Sequence, residues 1–150
     1  MSPETATLCR LLDLLQFACT ATMFGIIWYV QLVHYPSFVR VREDHWRGFH
    51  DRHTGMTGMV VGPPILGETA CAILAVALVP SRLERPDILA GLALLVLIWG
   101  TTVFFSIPAH HRLARGFDPA VAARLIATNW IRTAGWTLRF LLLLLTLARS

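Results

Sequence analysis

The chain has 150 residues, 55% of them hydrophobic and 15% charged, with a formal net charge of +4. Ordinary soluble domains are about 25% charged, so there is too little polar material here to coat a water-soluble globule, and the length suits a single domain. All 13 basic residues are arginines that flank apolar runs and form no basic stripe with exposed aromatics, which argues against nucleic-acid binding.

The segment Met1–Thr7 carries Glu4 and lacks a basic stretch, so no cleaved targeting peptide is expected. A helix needs about 20 mainly apolar residues to cross the hydrocarbon core. Four stretches qualify, at residues 11–33, 56–79, 88–107 and 126–147. They predict an all-α fold, a polytopic four-transmembrane-helix bundle forming one domain over residues 1–150, because a helix satisfies its own backbone in lipid. Between spans one and two, Phe38, Val41, His45 and Phe49 recur at helical spacing in the charged segment 37–53. They predict a short interfacial helix, or an extension of span two. Gly62-Pro63-Pro64 predicts a kink or break in span two. The polar turn 80–87 makes spans two and three antiparallel neighbours. Gly116-Phe117-Asp118-Pro119 reads as a helix stop followed by a start, with Asp118 as N-cap and Pro119 at the first helical position. Cys9, Cys19 and Cys71 form no C-x-x-C pair and read as small buried hydrophobes.

This threading gathers residues from distant parts of the chain at one end. His34 closes span one, His45, His50 and His53 precede span two, His110 and His111 close span three, and Asn129 and Arg132 begin span four. The same face holds Arg40, Arg42, Arg47, Arg52, Arg112, Arg115 and Arg124, against Arg10, Arg82, Arg85 and Arg149 on the other. The bias predicts that the histidine- and arginine-rich face is cytoplasmic and that both termini lie on the opposite side. Polar stripes on three helices (Gln31 and His34; Trp46, His50, His53 and Thr57; Trp99, Thr102, Ser106 and His110) should face the bundle interior, since lipid offers them no partner. His45 and His111 read as surface residues.

His34, His50, His53 and His110 are the candidate ligands of a transition-metal ion, through neutral imidazoles. Axial ligation of haem b by His34 and His110 is a further option, and hydrogen bonding to headgroups and backbone is the purely structural one. Deeper in the membrane, Glu68 and Arg139 are expected to pair. That pair serves as an interhelical clamp, or else Glu68 handles a ligand or proton. Asn129 and Arg132 extend a buried polar network, and Trp130 fits an interface anchor.

At His34-Tyr35-Pro36, His50-Asp51-Arg52-His53, Pro108-Ala109-His110 and Asn129-Trp130-Ile131-Arg132-Thr133 the chain resembles small uncharacterised bacterial four-helix integral membrane proteins, over most of its length. More distantly, in size and span count, it is similar to the anthrone-oxygenase-like membrane family, whose members oxidise polycyclic aromatics. The resemblance implies a bacterial inner membrane. Three functions then compete. One is an oxidoreductase for a lipophilic substrate, with the histidines as metal site or acid–base centre. The second is a non-catalytic accessory subunit or assembly factor of a larger membrane complex. The third is a carrier using the line Asp13, Gln16, Thr20 and His34, which without an internal repeat would require a homo-oligomer.

Overall fold

The structure, a computed structural model, describes residues 2–148, so Arg149 lies outside the described residues and its place in the charge bias is not tested. Among the described residues there are helices and turns and no strand. Helix α1 (Pro3–Tyr29) continues through a π turn (Val30–His34) and a 3-10 turn (Tyr35–Arg40). Helix α2 spans Trp46–Leu78, and α3 (Pro86–Thr101) runs through a second π turn (Thr102–Ser106) into α4 (Ile107–Leu113). Helix α5 covers Pro119–Ala148. The four resulting rods are long and apolar enough to cross a membrane. Even the shortest, at 28 residues, exceeds a hydrocarbon core of about 30 Å at roughly 1.5 Å per residue.

The starts and stops follow local chemistry. Asp118 accepts hydrogen bonds from the backbone N–H groups of Ala120 (2.8 Å) and Val121 (3.2 Å), the N-cap expected before Pro119. Ser2 caps α1 in the same way through Thr5. Two expectations concern the backbone between and within these rods. The segment 37–53 does not form one helix of its own, and residues 46–53 extend the second rod, one of the two alternatives expected for it. Backbone at Val41 and Arg42 is extended (ψ 127° and 144°), so the segment divides there. Its first part prolongs α1 and its second leads through a 3-10 turn (Glu43–His45) into α2. Phe38 and Phe49 meet across that corner, with ring centroids 5.8 Å apart. Of the kink or break expected at Gly62-Pro63-Pro64, the break does not occur, since one helix runs through both prolines. Proline removes a donor and crowds the preceding turn, but Pro63 faces outward and the helix continues on either side.

Helix α1 packs against α2 and α5, and α5 packs against α3. Helices α2 and α3 have hardly any backbone contact, although the chain passes directly from one to the other. They are bridged where Trp99 Nε1–H donates to the Thr69 hydroxyl (3.0 Å). Two glycines permit the close approach of α3 to α5. A Cβ at Gly91 would fall on the Arg139 guanidinium, and one at Gly135 would stand 2.9 Å from Ile98 Cγ1. One apolar cluster (Met23, Ile27, Ile65, Ile98, Trp136) fills the middle of the bundle, and another (Val30, Tyr35, Phe38, Trp46, Leu113, Ala122, Leu125) fills the histidine end.

Beside the middle cluster, Glu68 of α2 and Arg139 of α5 form a buried ion pair. Glu68 Oε1 accepts from Arg139 Nη2 (2.6 Å), Arg139 Nε (2.8 Å) and Gln16 Nε2 of α1 (3.2 Å). With Gly91 of α3 making room for the guanidinium, all four rods meet at this point. The far end is held by Arg82, which is bidentate to Asp13 at 2.7 and 2.9 Å. Removing one partner of a buried pair strands the other charge. Arg139→Leu is therefore expected to lower stability by about 3–5 kcal/mol, measured as thermal unfolding in detergent. Adding Glu68→Leu should recover most of that loss. A double variant as unstable as the single one would count against the pair as the source.

Candidate functional site

The two π turns are the local devices that build the site. Each ends two residues before a proline, at His34 before Pro36 and at Ser106 before Pro108. In each the next N–H reaches back five residues, from Tyr35 to Val30 O and from Ile107 to Thr102 O. A proline has no N–H to continue the ordinary ladder, and a wide turn rotates the stretch of helix after it. Because α1 and α3 both run toward the same end, both wide turns lie there. They aim Gln31, His34 and Tyr35 from one rod, and Ser106 and His110 from the other, at α2 and α5.

Four imidazoles gather at that end. His34 Nε2 and His53 Nδ1 share a hydrogen bond of 2.7 Å, and His50 Nε2 and His110 Nδ1 one of 3.3 Å. The two pairs are contiguous, with the His53 and His110 ring centroids 5.4 Å apart. The Thr57 hydroxyl lies 3.0 Å from His53 Nδ1, and the Tyr35 hydroxyl 3.1 Å from His110 Nε2. An aromatic wall of Phe38, Trp46 and Phe49 backs the rings. Trp46 is itself anchored through Nε1–H to Leu113 O (2.7 Å). His50 is 1% exposed, and its Nδ1 has no hydrogen-bond partner. His45 and His111 face outward.

The hydrogen bonds have chemical consequences. Tyr35, His110 and His50 form a continuous chain in which each imidazole uses both ring nitrogens or ends the line. If Tyr35 donates to His110 Nε2, then His110 Nδ1 donates to His50 Nε2 and the His50 Nδ1 proton is the terminus. The opposite setting, with His50 Nε2–H donating to His110 Nδ1 and His110 Nε2–H to the Tyr35 oxygen, frees the Tyr35 O–H, and passing between the two settings takes one proton in at one end and one out at the other. Neutral imidazole supports both settings, since each ring has one donor and one acceptor nitrogen. Metal ligation asks for something different, namely three or more lone pairs aimed at one point. No group of three His, Cys, Asp or Glu side chains among the described residues is placed to do this. The four proposed ligands are brought together, but as two hydrogen-bonded pairs.

Beneath the imidazoles lies a second network. Gln31 Oε1 accepts from Asn129 Nδ2 (2.8 Å) and from the Thr133 hydroxyl (3.4 Å), while Gln31 Nε2 donates to Ile126 O (3.3 Å). Arg132 Nη1 donates to Asn129 Oδ1 (3.1 Å) and to Ser106 Oγ (3.3 Å). Gln31 thereby ties α1 to α5, and Arg132 ties α5 to α3. Trp130 is half outside the bundle and meets Trp28 edge-on.

The gap between α2 and α4 opens onto these groups. An outer cleft of about 350 Å³ is bounded by Gly58, Gly62, Ile107 and His111, with His53 and His110 at its inner wall. Beyond it, an inner chamber of about 140 Å³ is lined by Tyr35, Thr57, Ser106, His110 and Arg132. The two are adjacent and share Thr57, Val61, Ile107 and His110 as walls. Comparison with protein-family models, curated proteins and solved structures gives no match.

Two members of the site escape a reading of the sequence by itself. Tyr35 sits between His34 and Pro36, but nothing in its spacing singles out its hydroxyl. Gly58 becomes a cleft wall only because α4 stands off from α2. The repeated interval between a polar residue and a following proline, His34 to Pro36 and Ser106 to Pro108, is the signal that would have pointed to the wide turns. Gln31→Leu removes both the acceptor for Asn129 and the donor to Ile126. Leaving buried polar groups unpaired costs about 1–3 kcal/mol. Thermal unfolding of this variant should show a loss of that order, and an unchanged midpoint would show that the network is not holding α1 to α5.

Proposed function

We propose that the chain is an integral membrane protein that admits a lipophilic molecule sideways between α2 and α4 and exchanges a proton with it at Tyr35 and His110, which His50 holds in place. The observation that carries this reading is that a hydrogen-bonded chain of one hydroxyl and two imidazoles ends at a chamber that shares four wall residues with an outward-facing cleft. Ligand sites are concave, largely apolar and furnished with a few convergent polar groups, in volumes of about 300–1,000 Å³, which describes the outer cleft. General acid–base work needs a proton donor or acceptor within hydrogen-bond reach of the reacting atom, and Tyr35 and His110 line the chamber. An oxidoreductase acting on such a molecule would use the same groups for its protons. In this reading the histidine end, with the corner at Val41 and Arg42, sits at the cytoplasmic interface of a bacterial inner membrane. The termini lie on the other side.

Two measurements test the proposal. In ¹⁵N-histidine spectra of the protein in lipid discs, the ring nitrogens of His34 and His53, and of His50 and His110, should be coupled in pairs, and His110 should respond to Tyr35→Phe. Four independent imidazoles would end this reading. One equivalent of a transition metal, lost together in His50→Ala and His53→Ala, would replace it with a metal centre. Recovery only as a fixed-stoichiometry partner of another membrane protein, with variants of Tyr35, His50 and His110 behaving as the parent, would favour an accessory subunit. Sidedness is tested separately. Cysteines placed at Asp44 and Arg115 should label from the cytoplasm and one at Ser81 from the opposite side, and the reverse pattern would invert the orientation.

A further inference from the structure

Arg132 stands apart from the other inward-facing cation. Arg139 has Glu68, whereas no carboxylate pairs with Arg132 among the described residues. Arg132 is 8% exposed, and its Nε has no hydrogen-bond partner. Its contacts are neutral: the Asn129 carbonyl oxygen, the Ser106 hydroxyl and the neighbouring Tyr35 hydroxyl. An interior guanidinium with no counter-charge is costly, because its attraction to neutral oxygens does not replace its hydration. It also lines the inner chamber. A buried cation held by dipoles at the wall of a cavity is the complement of an anion.

We propose that the molecule entering between α2 and α4 is a single-chain amphiphile with a carboxylate head, bound by Arg132 and lying with its apolar body along the outer cleft. This rests on the lateral-cleft reading above and adds the chemistry of the head group. The size of the chamber supports the choice. About 140 Å³ is close to the roughly 150 Å³ of a cavity that holds one benzene ring, which is room for a carboxylate and its first carbons. The charge agrees as well. One guanidinium balances one carboxylate, whose two oxygens suit its planar fork. Ser106 and Tyr35 are placed as further hydroxyl donors. The outer cleft, walled by Gly58, Gly62 and Ile107, offers an alkyl chain an apolar bed that widens toward the outside. With the carboxylate seated, the Tyr35–His110–His50 chain lies beside the head group and the first carbons of the tail.

The experiment compares three probes on the purified full chain in detergent: palmitate, hexadecanol of the same chain length, and phosphatidylglycerol. Palmitate should bind about tenfold or more tightly than hexadecanol, the scale expected of hydrogen bonds to a charged group. Arg132→Gln should erase that preference by weakening palmitate and leaving hexadecanol unchanged, while Arg132→Lys retains part of it. Equal affinities in the parent protein, a comparison that needs no variant, would overturn the proposal. So would a folded Arg132→Gln variant that keeps the preference, or phosphatidylglycerol displacing palmitate at equal concentration. Gly58→Leu separates this inference from the reading beneath it. Nothing stands within 4 Å of a Cβ at that position, so the leucine fills the cleft without straining the fold, and it should weaken palmitate and hexadecanol alike. If Gly58→Leu blocks both while the two bind equally in the parent, the cleft stands and the carboxylate inference fails. If Gly58→Leu affects neither, both fail.

Discussion

A carboxylate and a guanidinium meet in the interior of this bundle with neither reaching the surface, and the helices are arranged around that contact. Glu68 concentrates three donors on one oxygen while its other oxygen has no partner, so the site is held by directed bonds more than by symmetrical solvation. Coulomb attraction strengthens as the surroundings become less polar, and so does the cost of leaving either charge alone. The pair is therefore better understood as a device for register than as a source of net stability. It sets which faces of α2 and α5 turn inward, with Gln16 adding α1 and Gly91 yielding space on α3. Once these faces are set, the polar residues one and two turns further along have to point into the same interior.

The histidine end depends on a second constraint, the inability of proline to continue a helix's hydrogen-bond ladder. Pro36 and Pro108 each come just after a widened turn, and those turns redirect the last stretch of their rods. An unbroken α-helix through residues 30–36 would carry His34 and Tyr35 on its regular stripe. The wide turn instead lets His34 reach His53 while Tyr35 reaches His110. Pro63 and Pro64, by contrast, lie within α2 and do not end it.

The bundle is tightly joined along α1–α2, α1–α5 and α3–α5 and loose between α2 and α3. That asymmetry matters for chemistry. At the histidine end His53 and His110 line an outward-facing cleft, and Tyr35, His110 and Arg132 line the chamber next to it. The Trp99–Thr69 bond closes the gap lower down, which confines the opening to the end where the imidazoles lie.

Much of this was legible in the residues alone. The four apolar runs, the Asp118 cap and the gathering of His34, His50, His53 and His110 at one end follow from length, hydropathy and an even number of passes, which are local or counting properties. The inward direction of Gln31, Ser106 and Asn129 follows from the lack of any partner for them in lipid. Local pattern did not extend to the corner at Val41 and Arg42, where helical spacing continues across a turn, or to the continuity of α2 through two prolines. Only the tertiary arrangement decided that the imidazoles pair with each other, that Tyr35 completes the chain, and that Arg139 has a counter-ion while Arg132 has none. Spacing along one helix determines which residues share a face. The distance between faces is set by how closely rods approach, and that depends on glycines, wide turns and side-chain volumes acting together across helices that are far apart in the chain.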